Sequence, residues 1–127
     1  MNFYIASSFQ NKDTVRYVSE KLKKKGHIHT YDWTQNERAS TIEELKEVGQ
    51  NEKDGVGQSD ILVVILPGGK GTHIELGIAI GQGKLVYLYS PTDDIYNFET
   101  TSTFYHLQEV EIVIGSIDDL IEKLTLI

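Results

Sequence analysis

Apolar positions along this chain switch between two spacings. A short apolar run at residues 2 to 6 (NFYIA) predicts a first strand, and Ser7, Ser8, Phe9 and Gln10 form a turn at its carboxyl end. With Asn11 or Asp13 as a cap, Val15, Val18 and Leu22 then recur three and four residues apart until Gly26 ends the pattern, which predicts an amphipathic helix to Lys25. Residues 27 to 33 (HIHTYDW) alternate as a second strand does, and the turn-rich TQNER follows as a mobile loop candidate. Thr41 to Gln58 predicts a second helix with Ile42, Leu45, Val48 and Val56 on one side. Gly49, Gly55 and Gly57 predict a bent or frayed end for it, since each costs about 1 kcal/mol against alanine in a helix interior.

The unbroken run Ile61 to Leu66 is rich in β-branched residues and suits a strand covered on both faces, stopped by Pro67. Gly68, Gly69 and Gly71 surround Lys70 in a turn that opens THIELGIAIGQG, where Ile74, Ile78 and Ala79 are expected to share a helix face; the next strand follows Gly83. Residues 91 to 106 have no period and are long for a loop, which favours a functional or interface segment that is partly helical. Val110 to Ile114 predicts a fifth strand, and Ser116 with Asp119 a capped start for a closing helix through Leu124. Strands alternating with helices imply one α/β domain over residues 1 to 127, flavodoxin-like or Rossmann-like. It has three layers around a five-stranded parallel sheet in the order 2-1-3-4-5. Ligands of such sheets sit at the strands' carboxyl ends where the order reverses, which sets Tyr4 to Phe9 beside Pro67 to Glu75.

Composition narrows the partners. Usage is ordinary for a globular chain, at 39% hydrophobic and 24% charged residues, while the formal charge of −7 disfavours nucleic-acid polymers and anionic membranes. The lysines between Lys21 and Lys25 belong to the last turn of a helix, facing its negative end and solvent. With no cysteine, disulfides, zinc-thiolate sites and cysteine nucleophiles are excluded. The chain opens directly on a strand and has no apolar run near the length of a membrane span, so a cytoplasmic location is expected. His27 and His29 alternate on one strand face with no third ligand at useful spacing, and read as edge or surface residues rather than metal ligands. No metal and no cofactor are expected.

The glycine turn first suggests a phosphate cradle, but GGKGTHIE lacks the Lys-Ser/Thr pair of the P-loop and places Ile74 where the dinucleotide fingerprint has its third glycine. Glu75, expected in the first helical turn and ionised at neutral pH, would repel a phosphate directly above it. A carboxylate there suits a cationic centre, such as the oxocarbenium-like carbon of a breaking glycosidic bond; the plainer role is complementing the helix dipole. His73 is a candidate polar wall or acid toward a leaving base, and Trp33 either packs at the sheet rim or forms a stacking wall.

The combination FYIASSF and SDILVVILPGGKGTHIELGIAIGQGK resembles the nucleoside 2-deoxyribosyltransferase family, which includes 2'-deoxynucleoside 5'-phosphate N-hydrolases. The likeness runs over roughly residues 3 to 100 and is most specific in G-x-H-x-E-L-G-x-A followed by G-K. It implies cleavage or transfer of the N-glycosidic bond of a small nucleoside or nucleotide. In that scheme Glu75 is the nucleophile that forms a glycosyl-enzyme intermediate, and Tyr4 holds it in position. Ala6, Ser7 and Ser8 match the turn lining the sugar and phosphate pocket, and Gly69 and Gly71 the turn at the sugar's 5' end. Asn97 matches the polar residue lent by a neighbouring subunit, which implies a homo-oligomer. Two positions depart from the family: Glu52 stands where an aspartate binds the base or relays its proton, and Phe9 replaces the arginine of the phosphohydrolase branch, leaving Lys70 as the nearby cation. Alternatives are a TIR-like NAD glycohydrolase, or a nucleotide-binding or sensing module with weak turnover.

Overall fold

The structure, a computed structural model, describes residues 1 to 127. Strands β1 (Asn2–Ser7), β2 (Ile28–His29), β3 (Ile61–Ile65), β4 (Leu85–Ser90) and β5 (Val110–Ile114) pair in parallel in the order β2-β1-β3-β4-β5, as the alternation of patterns predicted. Helices α1 (Lys12–Lys24) and α4 (Ile117–Thr125) pack side by side on one face, and α2 (Ile42–Gln58) and α3 (Lys70–Gly81) on the other. Being covered twice, β3 is apolar and buried at every position, and Phe3 to Ala6 of β1 are buried beside it. On α1 the predicted face of Val15, Val18 and Leu22 is buried, and Gly26 beyond it takes a φ of +90°. Ser116 and Asp119 form the predicted capping box of α4. No helix is long and apolar enough to cross a membrane.

Three local expectations change. Only Ile28 and His29 pair with β1, because Asp32 accepts the Thr34 amide (3.0 Å) and hydroxyl (2.5 Å) and folds the chain into a 3₁₀ turn at Trp33–Gln35. His29 does lie on this edge strand, and its ring stacks on Phe3 (centroids 4.6 Å) and bonds Ser19 (3.0 Å). Helix α2 runs unbroken to Gln58 with Gly55 and Val56 buried, while Ile42 and Leu45 are exposed near its start. The buried face of α3 is Thr72, Glu75, Leu76 and Ala79, and Ile74 points to solvent. The irregular 91 to 106 segment contains two 3₁₀ turns, Asp93–Tyr96 and Thr103–His106, capped by the hydroxyls of Thr92 and Ser102. They bury Ile95 and Tyr105, so Tyr105 is not among the outward aromatics of that segment.

Candidate active site

The carboxyl ends of β1 and β3, where the strand order reverses, open on a cavity of about 510 Å³. Its wall from the end of β1 and the turn after it carries Ser7 and Phe9, and its wall from the glycine turn carries Gly69, Gly71 and Thr72, with Glu75 behind them. The opposite wall comes from α2, through Val48 and Glu52, and from the loop residues Asn36, Glu37 and Arg38. Glu52, Gly55 and Val56 follow Val48 at helical spacing, which is why α2 faces the sheet with a carboxyl among small and apolar groups.

Gly69 is the N-cap of α3, so Glu75 is its sixth residue and lies in the second turn, not the first. Its side chain is buried and accepts a hydrogen bond from the Tyr4 hydroxyl through Oε2. Burial pushes the Glu75 carboxyl up to about 8; the Tyr4 bond pulls against this and the nearby Glu52 charge adds to it. The expectation of an ionised carboxylate at neutral pH is thereby corrected: desolvation outweighs the helix dipole, whose effect fades within the first turn. Burial, and then the Glu75 charge, hold the Tyr4 phenol far above its ordinary range, so Tyr4 stays a donor. Burial also raises the Glu52 carboxyl.

Gly55 lets α2 approach these groups. A Cβ there would lie 2.8 Å from Tyr31 Cβ and 3.0 Å from Tyr4 Cδ2, so the glycine read as a helix weakener serves close packing under the site. Asn11 joins the two turns through Nδ2, which donates to Ser7 Oγ (2.9 Å) and the Pro67 carbonyl (3.0 Å), while Ser7 Oγ donates to the Ile65 carbonyl (2.7 Å). Trp33 packs at the sheet rim, where Nε1 donates to the Ile5 carbonyl (2.6 Å), and its buried ring also lines the cavity beside Phe9, centroids 6.2 Å apart.

Of the residues singled out from sequence, Glu75, Glu52, Ser7, Phe9, Trp33, Gly69 and Gly71 meet around this cavity, with Tyr4 bonded to Glu75 beneath it. Ala6 is fully buried within β1, and Ser8, Lys70, His73 and Asn97 lie outside the lining. The His73 ring turns to the far side of the glycine turn, toward Tyr105, and Asn97 is exposed and accepts the Glu99 amide (3.0 Å). Asn36, Glu37, Arg38, Val48 and Thr72 line the cavity without having been singled out as site residues. A turn-rich loop following the second strand was the only signal for the first three, and it gives no direction to a side chain. Arg38, not Lys70, is the basic side chain of the lining, and Lys12 sits over the Phe9 ring at 5.1 Å.

Chemically, the cavity offers one carboxyl oriented by a phenol, a second carboxyl across from it, and aromatic walls that shed water. The family model described as nucleoside 2-deoxyribosyltransferase matches residues 3 to 113. Among solved structures, the CMP N-glycosidase BcmB of Clostridium botulinum superposes with a TM-score of 0.71 at 19% identity, covering 99% of this chain and 98% of that one, a likeness of fold. The 2-deoxyribosyltransferase of the psychrotolerant bacterium Bacillus psychrosaccharolyticus gives a TM-score of 0.61 at 28% identity over 78% of this chain and 79% of that one. A search of curated proteins gives no match.

Proposed function

The chain belongs to the nucleoside 2-deoxyribosyltransferase family, and from that premise we propose that it breaks the N-glycosidic bond of a small nucleoside or nucleotide with Glu75 as nucleophile. Glu75 Oε attacks the anomeric carbon while the bond from that carbon to the base nitrogen breaks. The nitrogen's electron pair takes a proton from Glu52, whose raised affinity for protons suits a general acid. Water or a second base, giving up a proton to the Glu52 carboxylate, then attacks the same carbon and expels the Glu75 carboxylate, which gives hydrolysis or transfer. Tyr4 holds Glu75 in line and stabilises it as a carboxylate when it leaves. The observation that carries this reading is the Tyr4–Glu75 bond at the head of a cavity whose opposite wall bears Glu52.

Aromatic walls at Phe9 and Trp33 suit a base or the apolar face of a sugar. A neighbouring subunit completing the site belongs to the same proposal: Asn97 is exposed and outside its own cavity, as a lent residue has to be. The test is base release, read by chromatography, from a panel of deoxynucleosides, their 5'-monophosphates and NAD, with free bases as acceptors. Glu75→Gln should remain folded and lose roughly 10³-fold or more in rate. Undiminished release by the folded variant removes Glu75 from the role of nucleophile.

A further inference from the structure

Outside the cavity, on the other side of the glycine turn, the His73 ring is held at both nitrogens. Nδ1 lies 2.7 Å from the Gly69 carbonyl, and Nε2 lies 2.5 Å from the Tyr105 hydroxyl. A carbonyl can only accept, so Nδ1 carries the hydrogen and donates it; the neutral imidazole then has a bare Nε2, which accepts the hydroxyl hydrogen of Tyr105. Gly69 passes the constraint inward, because its amide donates to Thr72 Oγ1 at 3.2 Å. Thr72 is buried against the turn, and a Cβ on Gly68 would meet its Cγ2 at 2.5 Å. Gly69 and Thr72 both line the cavity. A continuous run of bonds therefore joins Tyr105, in the 91 to 106 segment, to the wall beside Glu75.

We propose that His73 and Tyr105 position the glycine turn from outside the site, so that the 91 to 106 segment sets the geometry in which Gly69, Gly71 and Thr72 meet the substrate. Both are positioning residues acting through Gly69, in a role that rests on the N-glycosidic reading of the cavity. The segment's place agrees with this, since it forms most of the crossover between the parallel strands β4 and β5 and carries two 3₁₀ turns there in place of an α-helix. So does its seating, with Tyr105 and Ile95 buried in the body of the protein. A wall displaced by a fraction of an ångström beside a reacting carbon lowers the rate more than the affinity.

The experiment compares Tyr105→Phe, which removes one hydroxyl, His73→Phe, which removes both bonds, and the double variant. Each single variant should lower kcat for base release about 3- to 10-fold with KM changed less than about 2-fold, and the double should be no worse than His73→Phe. Amide exchange at residues 69 to 72 should quicken about 3-fold or more in Tyr105→Phe, which lies more than thirty positions away in the chain. Unchanged kcat and exchange, or losses that multiply in the double variant, overturn the proposal. Should the wild-type protein release no base from any substrate, the functional reading fails by itself, and the exchange rates alone decide the clasp.

Discussion

Two opposed influences meet at Glu75. Its helix favours the charge, by about 0.3–1 kcal/mol near an N-terminus, but each unit of pKa is worth about 1.4 kcal/mol and burial moves this carboxyl up to about 8. Burial wins. As the proposed nucleophile, Glu75 has to be ionised, so kcat/KM for base release should climb with pH through the region near 8 in the free protein. Glu52→Gln removes a charge that raises Glu75, and should move that rise to lower pH in addition to slowing departure of the base. A pH–rate profile of the two proteins checks both, and a rise at the same pH in each would remove Glu52 from contact with Glu75. Stability has the matching sign. A folded carboxyl raised above its ordinary 4.5 contributes stability that is lost as pH rises from there through about 8, so Glu75→Gln should gain on the wild type in urea midpoint between pH 5 and pH 9. The pairing of Tyr4 with Glu75 was legible through the resemblance; the depth of Glu75 was not. Depth follows from α3 starting at Lys70 and burying Thr72, Glu75 and Leu76, a choice of face that the apolar Ile74 and Ile78 disguised. The direction of His73 was hidden for the same reason.

Helices and strands were legible where one period ran without competition. β3 and β5 lie within a residue of the apolar runs, and α1 buries the predicted stripe. β2 was overread because alternation in HIHTYDW continues past the point where Asp32 offers the backbone a different partner. On α2, propensity alone marked three glycines as equivalent, whereas tertiary packing separates them. Gly49 meets nothing within 4 Å, so Gly49→Ala should stabilise by up to about 1 kcal/mol. Gly55→Ala offers the same local gain but drives a methyl to within 2.8 Å of Tyr31 and 3.0 Å of Tyr4. Overpacking costs about 1–3 kcal/mol, so the net effect should be destabilising, with a loss of base release as Tyr4 shifts against Glu75. Denaturant midpoints and turnover of the two variants make the comparison, and a Gly55→Ala protein as stable and active as the wild type would mean that α2 has room to retreat.

At the scale of the whole molecule, the two outer layers differ. Ile42 (66% exposed), Leu45 (55%) and Ile74 (64%) stand on the α2–α3 side, and the 91 to 106 segment adds Phe98 (95%) and Phe104 (59%). The α1–α4 layer offers Tyr17, at 40%, and Leu126 near the carboxyl terminus. A stable dimer buries about 1,200–2,000 Å² in all, hence about 600–1,000 Å² from each copy, a modest share of a 7565 Å² surface. In the proposed oligomer apolar attraction has to overcome repulsion between copies that each carry a charge of −7, so added salt should tighten the association instead of loosening it. Sedimentation at micromolar concentration should accordingly show a species larger than 14.4 kDa, more populated at 0.5 M salt than at 0.05 M. Phe98→Glu is the informative variant, because a side chain this exposed contributes little to the fold of one copy. It should yield a folded monomer and, with Asn97 next to it withdrawn from a neighbour's cavity, slower base release. A wild-type protein that sediments as one chain while turning over substrate would show each cavity to be complete within its own copy.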